Sequence, residues 1–296
     1  MNAHFGRRGL ADAASAAPPT VPHIPYIRHN RVSEIADDID FEIHGSDTQF
    51  VEIELDPGET AVAEAGAMMF KPASVSMETI FGDGSHSESD GFLNKIAGAG
   101  KRLITGESLF TTAFTHDGHG KARVAFAAPY SGRIVPLKLD EHDGRIICQK
   151  DAFLCAARGV SIGVAFQKKI MTGLFGGEGF IMQSLEGDGW VFVHAGGAII
   201  EKELDHGDVL DVDTGCIVAL SKDVDYDIVR AGSVKSMIFG GEGVFYARLR
   251  GPGKVWLQSL PFSRLAGRMS ATLGNSTLNS GGEGSVVGTA FDILTR

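Results

Sequence analysis

The 296-residue sequence is poor in the features that announce export, membranes or metal chemistry. Its three cysteines, Cys148, Cys155 and Cys216, are an odd set with no Cys-x-x-Cys pair, so they supply neither a disulfide framework nor a zinc knuckle. Each lies in an apolar run, as small buried thiols do, which fits a reducing compartment. No stretch approaches the roughly 18 apolar residues of a membrane-spanning helix. The opening "MNAHFGRRGLADAASAAPP" lacks the apolar core of a secretory segment, and a cytoplasmic protein is expected. Positive charge is also scarce: 27 Lys and Arg stand against 37 Asp and Glu, a formal net charge of −10. Nucleic acid is therefore a poor partner, because phosphate binding draws its affinity from basic side chains that release counterions.

Catalytic signatures fail one by one. A phosphate loop needs Gly, four residues, then Gly-Lys-Ser or Thr, but "GAGKR" has Lys95 in place of the first glycine and Arg102 in place of the hydroxyl. Ser108 lacks the Gly-x-Ser-x-Gly elbow of a hydrolase nucleophile. No His-Glu-x-x-His occurs, and His116 and His119 in "THDGHG" read as solvated turn residues rather than metal ligands. His194 alternates with Trp190 and Phe192 on one strand face and reads as a satisfied, half-buried histidine. No catalytic residue, metal ligand or cofactor site is assigned.

What the sequence does hold is β texture. With 43% hydrophobic residues the chain can bury a substantial core. Residues 1–37 mix Ala, Pro, Arg and His without periodicity and read as a mobile tail. From Phe41 on, short runs of Val, Ile and Phe are cut roughly every eight to twelve residues by Gly, Asp or Pro. "KARVAFA", "GWVFVHA" and "GKVWLQS" are the clearest strands. "DGFLNKIAGAGKRLITGE" reads as a helical or loop excursion, and "PFSRLAGRMSATL" as a helix inside a C-terminal extension, residues 261–296.

The runs are related to one another. "LFGGEGFIMQSLEGDGWVFVHAGG" from Leu174 matches "IFGGEGVFYARLRGPGKVWLQSL" from Ile238 at an offset of 64, and "ITGESLFTTAFTHDGHGKARVAFA" from Ile104 is a degraded third copy. Upstream, "VAEAGAMM", "ICQKDAFL" and "LDVDTGCIV" align so that Gly66, Asp151 and Gly215 coincide, with Glu64, Gln149 and Asp213 beside them. The first copy carries 14 extra residues, placed in the irregular stretch from Gly82 to Gly100. The body, 38–260, thus divides into three β modules, 38–130, 131–195 and 196–260.

The "GGEGF" of this repeat resembles the carboxylate signature of cyclic-dinucleotide synthases, yet a feature present in every unit is more simply part of the unit. Gly106, Glu107, Gly177, Glu178, Gly241 and Glu242 are read as structural turn residues: glycines for the bend, glutamates to accept hydrogen bonds from its exposed amides. A module of about 64 residues is marginal alone, and sheet edges invite pairing, so modules sharing cores and a homo-oligomer are expected.

"FEIHGSDTQFVEIELDPGETAVAEAGAMMF", "TGESLF", "LFGGEGF" and "GPGKVWLQS" together resemble the altered-inheritance-of-mitochondria family over about residues 40–260. That resemblance implies an all-β fold similar to the tryptophan RNA-binding attenuation protein, with tandem β-sandwich modules in approximate threefold arrangement. It transfers no catalytic residue. The function expected is a noncatalytic oligomeric scaffold that presents its tails and the 14-residue insertion to a protein partner or a membrane surface. The segment from Phe92 to Leu103, apolar yet bearing Lys95, Lys101 and Arg102, is the candidate lipid contact. The alternative is a ring that binds a small ligand or RNA.

Overall fold

The structure, a computed structural model, describes residues 36–81, 110–168, 180–230 and 245–277. Strands β1 (Asp40–His44), β2 (Phe50–Leu55), β3 (Thr60–Glu64), β4 (Met68–Phe70), β5 (Val75–Phe81), β6 (Phe110–His116) and β7 (Ala122–Ala127) come first. Next are β8 (Gly132–Lys138), β9 (Arg145–Gln149), β10 (Phe153–Ala157), β11 (Ser161–Lys168), β12 (Phe180–Glu186) and β13 (Trp190–Gly196). The last strands are β14 (Ile199–Leu204), β15 (Val209–Asp213), β16 (Ile217–Ser221), β17 (Asp225–Arg230), β18 (Phe245–Arg250) and β19 (Gly253–Gln258), and helix α1 (Phe262–Thr277) follows. Among the described residues, the chain is all-β apart from this helix and a few short 3₁₀ turns. The strands read from "KARVAFA", "GWVFVHA" and "GKVWLQS" are β7, β13 and β19, and the helix read after Pro261 is α1.

The strands form four antiparallel sheets, none closed into a barrel. Their orders are β1-β2-β7-β4, β5-β6-β3-β10-β13-β8, β11-β12-β9-β16-β19-β14 and β15-β18-β17. Each six-stranded sheet therefore joins three strands from one stretch of chain to three from the next, at the pairs β3·β10 and β9·β16. The two junction pairs are built alike. Cys155, Ala156 and Ala157 face Ala63, Val62 and Ala61, while Ala219, Leu220 and Ser221 face Cys148, Ile147 and Ile146. A register shift recurs as well, between Met68 and Phe70, between Phe153 and Cys155, and between Ile217 and Ala219.

Side-chain period decides which faces are buried. In β2, Val51, Ile53 and Leu55 point into the core and Phe50, Glu52 and Glu54 outward, the alternation of a half-solvated outer sheet. The outer face carries Lys121 and Arg123 on Glu54, at 2.6 and 2.9 Å. β10 is buried throughout and β13 at all but its first residue, because both faces of their sheet are covered. Phe192 of β13 joins a core with β2 and β7, whereas its neighbours Val191 and Val193 join a second core with β9 and Trp256. A third core groups Met182, Ile217, Ala247 and Leu249.

The connections follow local rules. Between β2 and β3, Asp56-Pro57-Gly58-Glu59 makes a tight turn in which Glu59 N–H donates to Asp56 C=O at 3.0 Å. Gly58 takes the positive φ of +92° that such a turn needs after proline. The same device joins β14 to β15, with Asp208 N–H on Asp205 C=O at 3.0 Å and Gly207 at φ +92°. Helix α1 leaves Phe262, Leu265 and Met269 exposed at intervals of three and four residues, and Arg264 pairs with Asp213 at the end of β15.

Candidate functional site: a polar cluster at a strand junction

Gly106, Glu107, Gly177, Glu178, Gly241 and Glu242 lie outside the described residues, as do Ser108 and the segment from Phe92 to Leu103. The titratable groups that the fold does gather sit where β3, β9, β10 and the β7–β8 connection meet. Glu64 ends β3 beside the junction with β10, and Lys150 and Asp151 occupy the 3₁₀ turn between β9 and β10. Tyr130 lies between β7 and β8, with its ring 4.6 Å from that of His194 on β13 and 5.3 Å from that of Phe262.

Two members have displaced titrations. Burial first, then the Asp151 charge, raises the Glu64 carboxyl to about 7, and Lys150 offsets this in part. Burial, Asp151 and Glu64 together raise the Tyr130 hydroxyl to about 12. Cys148 and Cys155 are buried free thiols, and burial raises both well above the ordinary thiol range. The Cys148 thiol faces the Gln183 amide oxygen at 3.9 Å.

His194 departs from its expected role. It is only 2% exposed, and neither ring nitrogen has a hydrogen-bond partner of good geometry. It is buried rather than half-buried. Burial lowers its pKa to about 4, and the Tyr130 main chain nearby counters this only partly. The histidine fits against the backbone because Gly132 faces it: a Cβ there would lie 2.6 Å from His194 Nε2 and would overlap the Ala195 carbonyl.

His116 also differs from expectation. It is buried at 1% exposure rather than solvated. Its Nε2 lies 2.9 Å from the Gly120 carbonyl, and its Nδ1 lies 3.2 Å from the Ser74 carbonyl and 3.4 Å from Gly118 N. It braces the β6–β7 turn. His119 is exposed.

Around the junction, polar side chains are spent on main-chain groups. Gln258 accepts from Gly196 N–H through Oε1 and donates to Gly215 C=O through Nε2, both at 2.8 Å, tying the end of β13 to the turn before β16. Asp213 accepts from Gly215 N–H at 2.9 Å. Among the described residues, no group of three or more His, Cys, Asp or Glu side chains is placed to hold a metal ion. What the cluster can do is exchange a proton near neutral pH at Glu64, between Lys150 and Asp151.

Glu64 yields a direct test. Its folded pKa of about 7 lies above the ordinary 4.5, so the unfolded chain releases this proton first and the folded state loses stability as pH rises from 4.5 through 7. Glu64→Gln is expected to flatten that limb. Because the carboxylate is only half-buried, the gain at pH 8 relative to pH 4.5 is roughly 1–2 kcal/mol in urea unfolding.

The sequence aligned Glu64 with Gln149 and Asp213 but gave no sign that Asp151 and Tyr130 approach it. That proximity arises from β3 pairing with β10, a contact across about 90 residues of chain.

Comparison with known proteins agrees with the fold. The chain is 33% identical over 231 residues to an uncharacterized protein of Streptococcus pyogenes, covering 77% of this chain and 88% of that one. A crystal structure of a Streptococcus pyogenes protein superposes with a TM-score of 0.63 at 27% identity, over 79% of this chain and 99% of that one. Residues 41–260 match the family described as Mitochondrial biogenesis AIM24, which spans every described strand but part of β1. The chain belongs to the Mitochondrial biogenesis AIM24 family.

Proposed function

We propose that this protein is a noncatalytic, self-assembling scaffold of the cytoplasm, made of three related β units (38–130, 131–195 and 196–260) and two extensions. The observation that carries the reading is a pair of open sheet edges. Among the described residues, the four-stranded sheet ends at β4, whose Met68, Met69 and Phe70 are all exposed, and the three-stranded sheet ends at β15, whose Val209 is 56% exposed beside Asp211. The corresponding strands inside the chain, β10 and β16, are buried at all but one position. An exposed apolar strand at a sheet edge invites association.

The recurrence of the junction register and of the register shift supports the three-unit reading. The buried free thiols of Cys148 and Cys155 suit a reducing compartment. No helix among the described residues is long and apolar enough to cross a membrane.

Light scattering with native mass spectrometry tests assembly. The expected mass is a whole multiple of the 31.4 kDa chain. A single-chain mass at every concentration would overturn the reading.

A further inference from the structure

We propose that the two open edges are the halves of one seam: β15 of one molecule adds to β4 of a second copy in the register already used twice within the chain. This rests on the three-unit reading above and names the surface through which the units continue from copy to copy.

The register follows by counting. In the first internal seam, Cys155, four residues after Asp151, faces Ala63, three before Gly66. In the second, Ala219, four after Gly215, faces Cys148, three before Asp151. Applied to the strands left over, the rule pairs Phe70 with Val212, Lys71 with Asp211, and Pro72 with Leu210. The sheet order agrees. Joining the open edges gives β17-β18-β15-β4-β7-β2-β1, whose first six strands follow the same succession of types as β5-β6-β3-β10-β13-β8. Among the described residues β4 and β15 border separate sheets, and the repeating register calls for a strand of the matching type, which a second copy supplies.

Side-chain chemistry fits this seam. Val212 and Leu210 already face the third core, as Ala63 and Ala61 face the first and Cys148 and Ile146 the second. Phe70, 43% exposed, would extend that apolar surface. On the opposite face, where the internal seams carry Val62 against Ala156 and Ile147 against Leu220, the projected pair is Lys71 against Asp211, oppositely charged, although Asp211 already accepts from Arg248 at 2.7 and 2.8 Å and Lys71 donates to Val75 C=O at 2.6 Å.

Pro72 is no obstacle. Arg158 N–H donates to Thr60 C=O at 3.0 Å, so the adjacent pair Ala157–Ala61 is of the non-hydrogen-bonded kind. Pro72 would occupy the place of Ala157, where the seam needs no amide proton. Phe70 and Val212 would form a non-hydrogen-bonded pair too, and such pairs bring Cα atoms to about 4.5 Å, within disulfide range.

The test uses full-length chains with Cys216→Ser to remove the half-buried thiol. Phe70→Cys and Val212→Cys are made in separate chains, mixed, oxidised mildly, and run on non-reducing gels. A disulfide dimer is expected from the mixture and from neither variant alone, with mass spectrometry joining the peptides of positions 70 and 212. If the doubly substituted chain forms only an internal bridge, the seam closes within one molecule and the proposal falls. No bridge in the mixture, with light scattering still showing a multimer, overturns this register but leaves assembly standing. Lys71→Glu gives a second measurement, read against Lys71→Met because either change removes the Lys71 hydrogen bond to Val75 C=O. With like charges facing each other, self-association is expected to weaken roughly fivefold at low salt, and unchanged association would overturn the register.

Discussion

Phe192→Ala is expected to lower unfolding free energy by about 3–5 kcal/mol, a large share of the 5–15 kcal/mol typical of a folded domain. Phe192 is wholly buried on β13 and packs edge-on against Phe41 of β1, with ring centroids 4.8 Å apart. Trp190 stands 4.9 Å from the same Phe41 ring. The truncated side chain would leave a cavity between two sheets whose backbones are tied by hydrogen-bond ladders and cannot collapse onto it. The urea midpoint should fall with little change in slope, since the surface exposed on unfolding barely alters. Met69→Ala, on the exposed β4, should change the single chain by less than about 0.5 kcal/mol. A loss below about 1 kcal/mol for Phe192→Ala would mean that β1 and β13 do not enclose this ring.

The second large effect is an acid limb set by His194. Its folded pKa of about 4 lies below the ordinary 6.5, so the unfolded chain takes up this proton first as pH falls. Stability is therefore unaffected by this group above pH 6.5 and declines between pH 6.5 and 4. The decline amounts to about 3 kcal/mol at its acid end. His194→Leu puts an apolar group of similar size in its place, removes the titrating ring, and should abolish the limb while stabilising the protein by up to about 1 kcal/mol at pH 8. Unfolding curves at pH 8, 6 and 4.5 decide it: parallel losses in both proteins would show that another group governs the acid side. Glu64 acts in the opposite direction over an overlapping range, pH 4.5 to 7, so the two slopes partly offset each other, and Glu64→Gln should steepen the acid decline that His194→Leu removes.

The sequence made the strands readable because turn residues and β-branched runs act locally. Gly66, Asp151 and Gly215, aligned by letter alone, turn out to precede three equally placed register shifts. The histidines misled for a physical reason. Alternation assigns a face but not its cover: β13 shows the same pattern whether one side or both are buried, and a second covered face is what takes His194 from water. His116 was hidden by its glycines, which signal a turn but do not reveal that the ring folds beneath it to meet Gly118 and Gly120. Sheet sharing was the least legible feature. The pairing of β3 with β10 and of β9 with β16 unites residues that no local pattern links.

That interleaving has a consequence during synthesis. Because β5, β6 and β3 share a sheet with β13, the first long sheet cannot be completed until residue 196 has left the ribosome, and the next must wait for β19 to emerge at residue 258. Until then the nascent polypeptide carries a half-built apolar sheet, so chaperone demand should peak in the middle of translation and fall only near its end.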